Sequence, residues 1–296
     1  MKILLIGGTG QVGSEILSIA IKNNLDCVSP SSSELDIANS TSVNSIIEKN
    51  LPLDFIVNAS AYTAVDKAED EPKLAFSINR DGAQFLAEAC CLHKIPLLHI
   101  STDYVFDGDA NRPYKEEDPT EPLGVYGKSK LDGEHAVQAS LSEHIILRTA
   151  WVYGAQGSNF VKTMLKLGRQ RSKLNVVSDQ FGCPTAAADI AETIMCVISQ
   201  MHSQPNNRWG TYHYCSTDST NWAGFAQAIF AQANQVDSDY PVVDVQPIPS
   251  CDYPTKASRP NYSVLDCTKI SQSFDVMPPK WLLSFKRDIP NILKNI

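Results

Sequence analysis

Lys2-Ile3-Leu4-Leu5-Ile6-Gly7-Gly8-Thr9-Gly10-Gln11-Val12-Gly13 is the stretch on which the fold turns. A short apolar run ending in glycines three apart reads as a strand, a tight turn and a helix start. Backbone N–H groups at such a start can approach a pyrophosphate, and the helix dipole favours the negative charge. In that reading Gly7 permits the turn, Gly10 admits the phosphates, and Gly13 lets the helix lie against the strand. A plain strand–turn–helix has the same local pattern, so the neighbouring sequence must decide.

Outward from the turn, strand-like and helix-like segments alternate. Residues 3–6, 54–59, 97–102 and 145–149 are short apolar runs suited to parallel strands buried on both faces. Residues 11–23, 42–50, 72–93 and 126–139 carry apolar side chains at helical intervals, and Pro72 suits a first turn. The alternation predicts an α/β fold, a doubly wound parallel sheet (Rossmann fold) with ligands at the carboxyl ends of its strands. The second half is richer in Pro, Trp and Tyr. There 159–169, 187–199 and 222–233 read as helices, and 174–177 and 211–215 as strands. A smaller α/β substrate-binding lobe is expected in that half. Residues 1–145 are assigned to the nucleotide-binding domain, completed by about 170–200 and 240–258. Residues 146–169, 201–239 and 259–296 are assigned to the lobe.

The 296 residues carry 33 acidic and 25 basic side chains, a net charge of −8. That balance argues against general nucleic-acid binding, which needs a basic face. No segment approaches the roughly 18 apolar residues of a membrane span, and the apolar run at the N-terminus is too short for a secretory signal. A cytoplasmic protein with no membrane partner is expected. The eight cysteines form no C-x-x-C pair, and the six histidines lack metal-ligand spacing, so reduced thiols and no structural metal are expected. His99 reads as a satisfied strand residue rather than a base.

Three strand and helix ends carry candidate chemistry. Asn58-Ala59-Ser60-Ala61-Tyr62 passes from an apolar strand to small residues that would let backbone lie against a ribose or nicotinamide. Ser101-Thr102-Asp103 ends the next strand with a hydroxyl. Tyr126-Gly127-Lys128-Ser129-Lys130 places a phenol and an ammonium four apart on one helix face. A neighbouring cation would draw the phenol down from its usual pKa of ~10 towards the range of a general acid or base. Each fragment alone is compatible with a strand cap or a surface pair; their order along the chain points to carbonyl reduction.

With these motifs the chain resembles the extended short-chain dehydrogenase/reductase superfamily, in its dTDP-4-dehydrorhamnose reductase branch. The resemblance spans essentially the whole chain. It includes Ala64-Val65-Asp66-Lys67-Ala68-Glu69, Ser101-Thr102-Asp103-Tyr104-Val105-Phe106, Arg148-Thr149-Ala150-Trp151-Val152-Tyr153, Asp179-Gln180-Phe181-Gly182-Cys183-Pro184-Thr185 and Ala257-Ser258-Arg259-Pro260. It implies NADPH-dependent reduction of the C4 ketone of dTDP-4-dehydro-β-L-rhamnose to dTDP-β-L-rhamnose, a precursor of surface polysaccharide such as O-antigen.

Carried onto this sequence, the resemblance makes Tyr126 the proton donor and Lys130 its partner and a ribose ligand. Gly7, Gly10, Gln11, Val12 and Gly13 would surround the pyrophosphate, and Asp36 and Ile37 the adenine. Ala59, Ala61 and Tyr62 would line the nicotinamide half. Thr102 and Asp103 would contact the sugar, Trp151 would pack on it, and Arg259 would meet the nucleotide diphosphate. Residues 26–33 offer neither an acidic side chain at the usual ribose position nor an Arg or Lys for a 2′-phosphate, so NADPH is favoured with NADH accepted. Some members place Mg2+ at a dimer contact through glutamates. Glu15 matches one, but the second position is Ala188 followed by Asp189, so no metal ligand is assigned, and Mg2+ and the homodimer it would bridge are both left open and disfavoured. The rival readings are another nucleotide-sugar reductase or epimerase, and a non-catalytic relative resembling the regulatory subunit of methionine adenosyltransferase.

Overall fold

A computed structural model of the chain describes residues 1–204 and 208–296. Six strands form one parallel sheet: β1 (Lys2–Ile6), β2 (Asp26–Val28), β3 (Phe55–Asn58), β4 (Leu97–Thr102), β5 (His144–Thr149) and an edge strand, Gly210–His213. Their spatial order is β2, β1, β3, β4, β5 and the edge strand. The chain leaves β1 towards β2 and then returns to the other side to build β3, so the strand order reverses at β1, where such sheets open a crevice. Every residue of β3 and β5 is buried, which is why these strands read as unbroken apolar runs rather than alternating ones.

Register brings the strand ends level. Ile6 pairs with Asn58, Asn58 with His99, and Thr102 with Thr149, so the chemistry-bearing ends of β1, β3, β4 and β5 share one edge. Helix α1 (Gln11–Lys22) buries Val12, Gly13, Ile16 and Ala20 on one face of the sheet, beside the helix Ala187–Ser203. Helix α2 (Ser40–Asn50), the helix Gly82–His93 and the helix Val125–Ser140 cover the other face. Asn39 starts α2 by accepting from the backbone N–H groups of Thr41 and Ser42, satisfying donors that a helix start leaves open.

The long helix expected over 72–93 contains a wider turn. Pro72–Phe76 is α-helical, Ser77–Asp81 is a π-helical segment, and Gly82–His93 resumes the α-helix. Such a segment inserts a residue without ending the helix. Here it turns Asn79 inward: its Oδ1 accepts from Tyr62 N at 2.8 Å, and its Nδ2 donates to Ser129 Oγ at 2.9 Å.

A second apolar cluster lies under the helices Phe160–Gly168, Trp222–Val236 and Trp281–Lys294. Sheet membership differs here from the division expected above. The strand Gly210–His213, in the span assigned to the lobe, pairs with β5. The strands Lys173–Val177 and Asp244–Ile248, in spans assigned to the nucleotide-binding domain, pair with each other in parallel and pack into the second cluster. The pattern of Lys173–Val177 explains this: buried Leu174 and Val176 alternate with exposed neighbours, as in a strand with one wet face. Residues 205–207, within the span assigned to the lobe, lie outside the described residues.

Candidate active site

A cleft of about 640 Å3 opens above the carboxyl ends of β1, β3, β4 and β5 and continues under the second cluster. At its floor the glycine turn is tight for geometric reasons. Gly7 has φ +85°, and a Cβ there would lie within 2.8 Å of the backbone of Ala59 and Ser60; a Cβ on Gly13 would lie 2.1 Å from Gly7 O. Only glycine meets both demands, of left-handed backbone and of close approach. Helix α1 begins just after Gly10, which offers no side-chain cap, so its first turn is left with open donors beside the cleft wall formed by Gly10, Gln11 and Val12. Open N–H donors at a helix start, cradled where no side chain would fit, suit a pyrophosphate.

Gly7, Gly10, Gln11, Val12, Ile37, Ala59, Ala61, Thr102, Asp103, Tyr126, Lys130 and Trp151 all line this one cleft. Four other expected site residues stand outside its wall. Gly13 lies behind the turn. Asp36 is exposed and accepts from Ala38 N at 3.0 Å. Tyr62 turns its hydroxyl to Glu71, 2.8 Å away. Arg259 is held by Asp66 at 2.7 and 3.2 Å, in a strap where Ala257 N also donates to Asp66 and Lys256 pairs with Asp70.

Tyr126 sits in the first turn of its helix, where Glu69 takes the place of a cap by accepting from Val125 N at 2.8 Å. Its ring meets Tyr104 edge-on at 5.5 Å, and the phenol hydrogen-bonds Thr102. Thr102 in turn donates to Asp103 Oδ1 at 3.0 Å and accepts from Tyr104 N. Burial pushes the Tyr126 phenol up to about 12, with Thr102 pulling the other way and the Asp103 charge adding to the rise. Burial likewise raises the Asp103 carboxyl to about 6, and its Oδ2 is buried without a hydrogen-bond partner.

The i,i+4 spacing led us to expect Lys130 against the phenol, lowering its pKa. Instead Lys130 Nζ donates to Ile100 O at 2.7 Å and lies 3.3 Å from His99 Nε2. The side chain is 2% exposed, and burial draws its ammonium down to about 8 against the pull of Glu134. Removal from water outweighs the Glu134 charge for the ammonium and the Thr102 hydroxyl for the phenol, and the phenol rests as a protonated acid.

The far wall is aromatic. Trp151 adopts φ +47°, a strained backbone for a bulky residue, and its ring lies flat on Trp222 with centroids 3.5 Å apart and planes 4° from parallel. A Cβ on Gly182 would fall 2.4 Å from that indole. Trp222 and Asn159 are cleft residues that the sequence reading missed. Asn159 caps the helix Phe160–Gly168 and donates to Gln11 Oε1 at 2.8 Å, joining the two lobes. Both directly follow or form a capping position, a signal legible in Ser158-Asn159 and Asn221-Trp222.

Away from the cleft, Glu15 lies near Asp288, Arg287 and Glu192, and its carboxyl is raised chiefly by burial. Asp189 is engaged by Ser284 and Arg287. Among the described residues no group of three or more His, Cys, Asp or Glu gathers to hold a metal, and no helix is long and apolar enough to cross a membrane.

The family described as the RmlD substrate binding domain matches residues 1–294. A dTDP-4-dehydrorhamnose reductase of Aggregatibacter actinomycetemcomitans is 43% identical over 96% of this chain and 97% of its own length. The crystal structure of a dTDP-4-dehydrorhamnose reductase from Clostridium acetobutylicum superposes with a TM-score of 0.91 at 37% identity, covering 99% of this chain and 100% of that one. The reductase of Bacillus anthracis, solved in complex with NADP, superposes with a TM-score of 0.90 at 35% identity, covering 97% and 99%. UDP-glucose 4-epimerase of Thermus thermophilus, at 19% identity and a TM-score of 0.78, shares the fold. With the glycine turn, the strand-end hydroxyl and the Tyr126 helix all opening into one cleft, the chain belongs to the dTDP-4-dehydrorhamnose reductase family.

Proposed function

We propose that this chain reduces the C4 ketone of dTDP-4-dehydro-β-L-rhamnose with NADPH, giving dTDP-β-L-rhamnose in the cytoplasm. The observation that carries the proposal is the convergence in one cleft of an uncapped, glycine-bounded helix start and a protonated Tyr126 hydrogen-bonded to Thr102. Gly10, Gln11 and Val12 would hold the cofactor's pyrophosphate, Ile37 its adenine side, and Ala59, Ala61 and Lys130 its nicotinamide riboside. The uncapped N–H donors and the space no Cβ could enter fit that group. When bound, the nicotinamide supplies the hydride.

As a C–H bond forms at C4 and the carbonyl π bond opens, Tyr126 gives its phenolic proton to the alkoxide oxygen. A phenol raised to about 12 is protonated throughout the neutral range, as the donor in a reduction must be. Thr102, whose hydroxyl oxygen already meets the phenol, would turn its hydrogen to the new phenolate, and a proton from solvent restores the acid. Trp151, backed by Trp222, would face the sugar. Asp66 and Asp70 hold Arg259 and Lys256 at the margin, where a diphosphate would compete for the same guanidinium. No step needs Mg2+, and a homodimer would leave the chemistry within one chain.

The test is NADPH oxidation with dTDP-4-dehydro-L-rhamnose made in situ, with chromatography of the product. Stoichiometric cofactor consumption matched by dTDP-L-rhamnose is expected. Isomerised sugar without net consumption would mark an epimerase, and cofactor binding without turnover would favour a regulatory role.

A further inference from the structure

The loop that leads into the helix Phe160–Gly168 meets the start of α1, and its hydrogen bonds decide which way the Gln11 side chain is turned. Asn159 Oδ1 accepts from Lys162 N at 3.0 Å, and Asn159 Nδ2 donates to Gly154 O at 2.9 Å. A backbone N–H can only donate and a backbone carbonyl can only accept, so both ends of the Asn159 amide are fixed. Its Nδ2 has a second hydrogen, which goes to Gln11 Oε1, 2.8 Å away. Gln11 therefore meets Asn159 with its oxygen, and Nε2 with two hydrogens is the end that remains. Among the described residues no acceptor takes those hydrogens. The stem of the side chain is confined as well. Gly157 adopts φ +68°, and a Cβ there would lie 3.2 Å from Gln11 Cγ, so loop backbone rests against the glutamine. Lys162 Nζ donates to Ala155 O at 2.9 Å and holds the loop a second time. Gln11, Gly157 and Asn159 all line the cleft beside Gly10.

We infer that Gln11 binds the cofactor's pyrophosphate through its side-chain Nε2–H, beside the backbone donors of the helix start, and that Asn159 is a positioning residue that turns this donor to the anion. The inference rests on the proposed NADPH reading and adds to it a residue from the opposite lobe. A glutamine free to rotate has two amide orientations, one setting a donor and the other an acceptor towards the cleft. A carbonyl oxygen repels phosphate oxygens, whereas an N–H facing them makes a charge-assisted hydrogen bond. Asn159 selects the donor before any ligand arrives, so less side-chain freedom is lost on binding. The segment that begins at Trp151 and ends at Asn159 thus carries both the indole wall and the residue that orients the cofactor donor.

The test is fluorescence titration with NADPH of the full chain and of Gln11→Ala, Asn159→Ser and the two combined. Serine keeps a capping oxygen for Lys162 N but is too short to reach Gln11. Gln11→Ala is expected to weaken NADPH binding about tenfold or more, the worth of one hydrogen bond to a charged group, and Asn159→Ser severalfold. The double variant should bind no more weakly than Gln11→Ala alone, because Asn159 acts through Gln11; a merely structural Asn159 would make the two losses multiply. Multiplying losses, or a Gln11→Ala affinity within about twofold of the original, the scatter of independent sites, would overturn the inference. Nitrogen-15 NMR of the side-chain amides supplies a reading that does not depend on the folding of Asn159→Ser. The Gln11 NH2 pair, identified by its loss in Gln11→Ala, should shift when NADPH is added, and a pair that stays in place would also overturn it. Ketone reduction is not a readout here. NADPH bound without turnover would sink the reductase reading and leave the Gln11–Asn159 pair standing, whereas an unaltered chain that binds no NADPH would overturn both.

Discussion

Tyr126 illustrates how one residue's surroundings choose its role. The phenol meets Thr102 and the edge of Tyr104 in a wall shared with buried Asp103, and loss of water raises its pKa to about 12. That suits proton donation. Tyr126→Phe removes one O–H and little volume, so we expect turnover to fall by about 10²–10⁴-fold, the usual worth of a placed general acid, with NADPH affinity within a few fold of the original. Fluorescence titration with NADPH beside the ketone assay separates the two; turnover within tenfold of the original would remove Tyr126 as donor. A second prediction concerns Gly182, whose missing side chain leaves room for Trp151. Gly182→Ala drives a methyl into an indole already stacked on Trp222. The sugar-nucleotide KM should rise severalfold while NADPH binding stays intact, because the glycine turn is built on other strands. An unchanged KM would show that the indole does not face the substrate.

Among the elements, the π-helical turn at Ser77–Asp81 joins the cofactor side of the cleft to the Tyr126 helix. Asn79 is 2% exposed and ties Tyr62 backbone to Ser129. Asn79→Leu leaves the half-buried Tyr62 N–H and carbonyl without their side-chain partner, at a cost of up to about 1–3 kcal/mol for each group that water cannot reach. Denaturant unfolding should show the loss, and a midpoint equal to the original would mean that water replaces the amide without penalty. This segment also shows where sequence reading ends. The apolar spacing over 72–93 announces a helix but not an extra residue within it, since a single inserted position barely disturbs a 3.6-residue period. The strands β1, β3, β4 and β5 were legible because burial on both faces demands unbroken apolar runs. The glycine turn was legible because two positions exclude any Cβ. Lys130 was half legible: its helix face follows from spacing, but its turn towards β4 depends on Ile100 and His99, some thirty residues away. The helix Trp281–Lys294 went unread although Trp281, Phe285, Ile289 and Ile292 mark one buried face, because Pro290 inside it argues against a helix.

For the whole molecule, acid stability follows from groups buried where the sheet meets the last part of the chain. His213, on the edge strand, is fully buried. Its Nδ1–H donates to Tyr114 O at 3.0 Å, and Nε2 faces Arg148 at 3.4 Å. Burial first, and Arg148 second, push its pKa down to about 3. An unfolded histidine titrates near ~6.5, so between about pH 6.5 and 3 the unfolded chain binds a proton that the folded chain refuses, and stability falls as pH falls. Asp103 acts in the opposite sense: raised to about 6, it holds its proton in the fold after the unfolded carboxyl, near ~3.9, has lost it. Stability therefore gains from Asp103 on acidification over about pH 6 to 4, which partly offsets the histidine. Each of these buried groups contributes on the order of a few kcal/mol, at 1.36 per pKa unit. His213→Gln keeps a donor and an acceptor but cannot titrate. Urea unfolding followed from pH 7 to pH 4 should show a shallower loss of stability in His213→Gln than in the original chain, and Asp103→Asn should show a steeper one. Parallel profiles for all three proteins would mean that the acid response arises elsewhere in the fold.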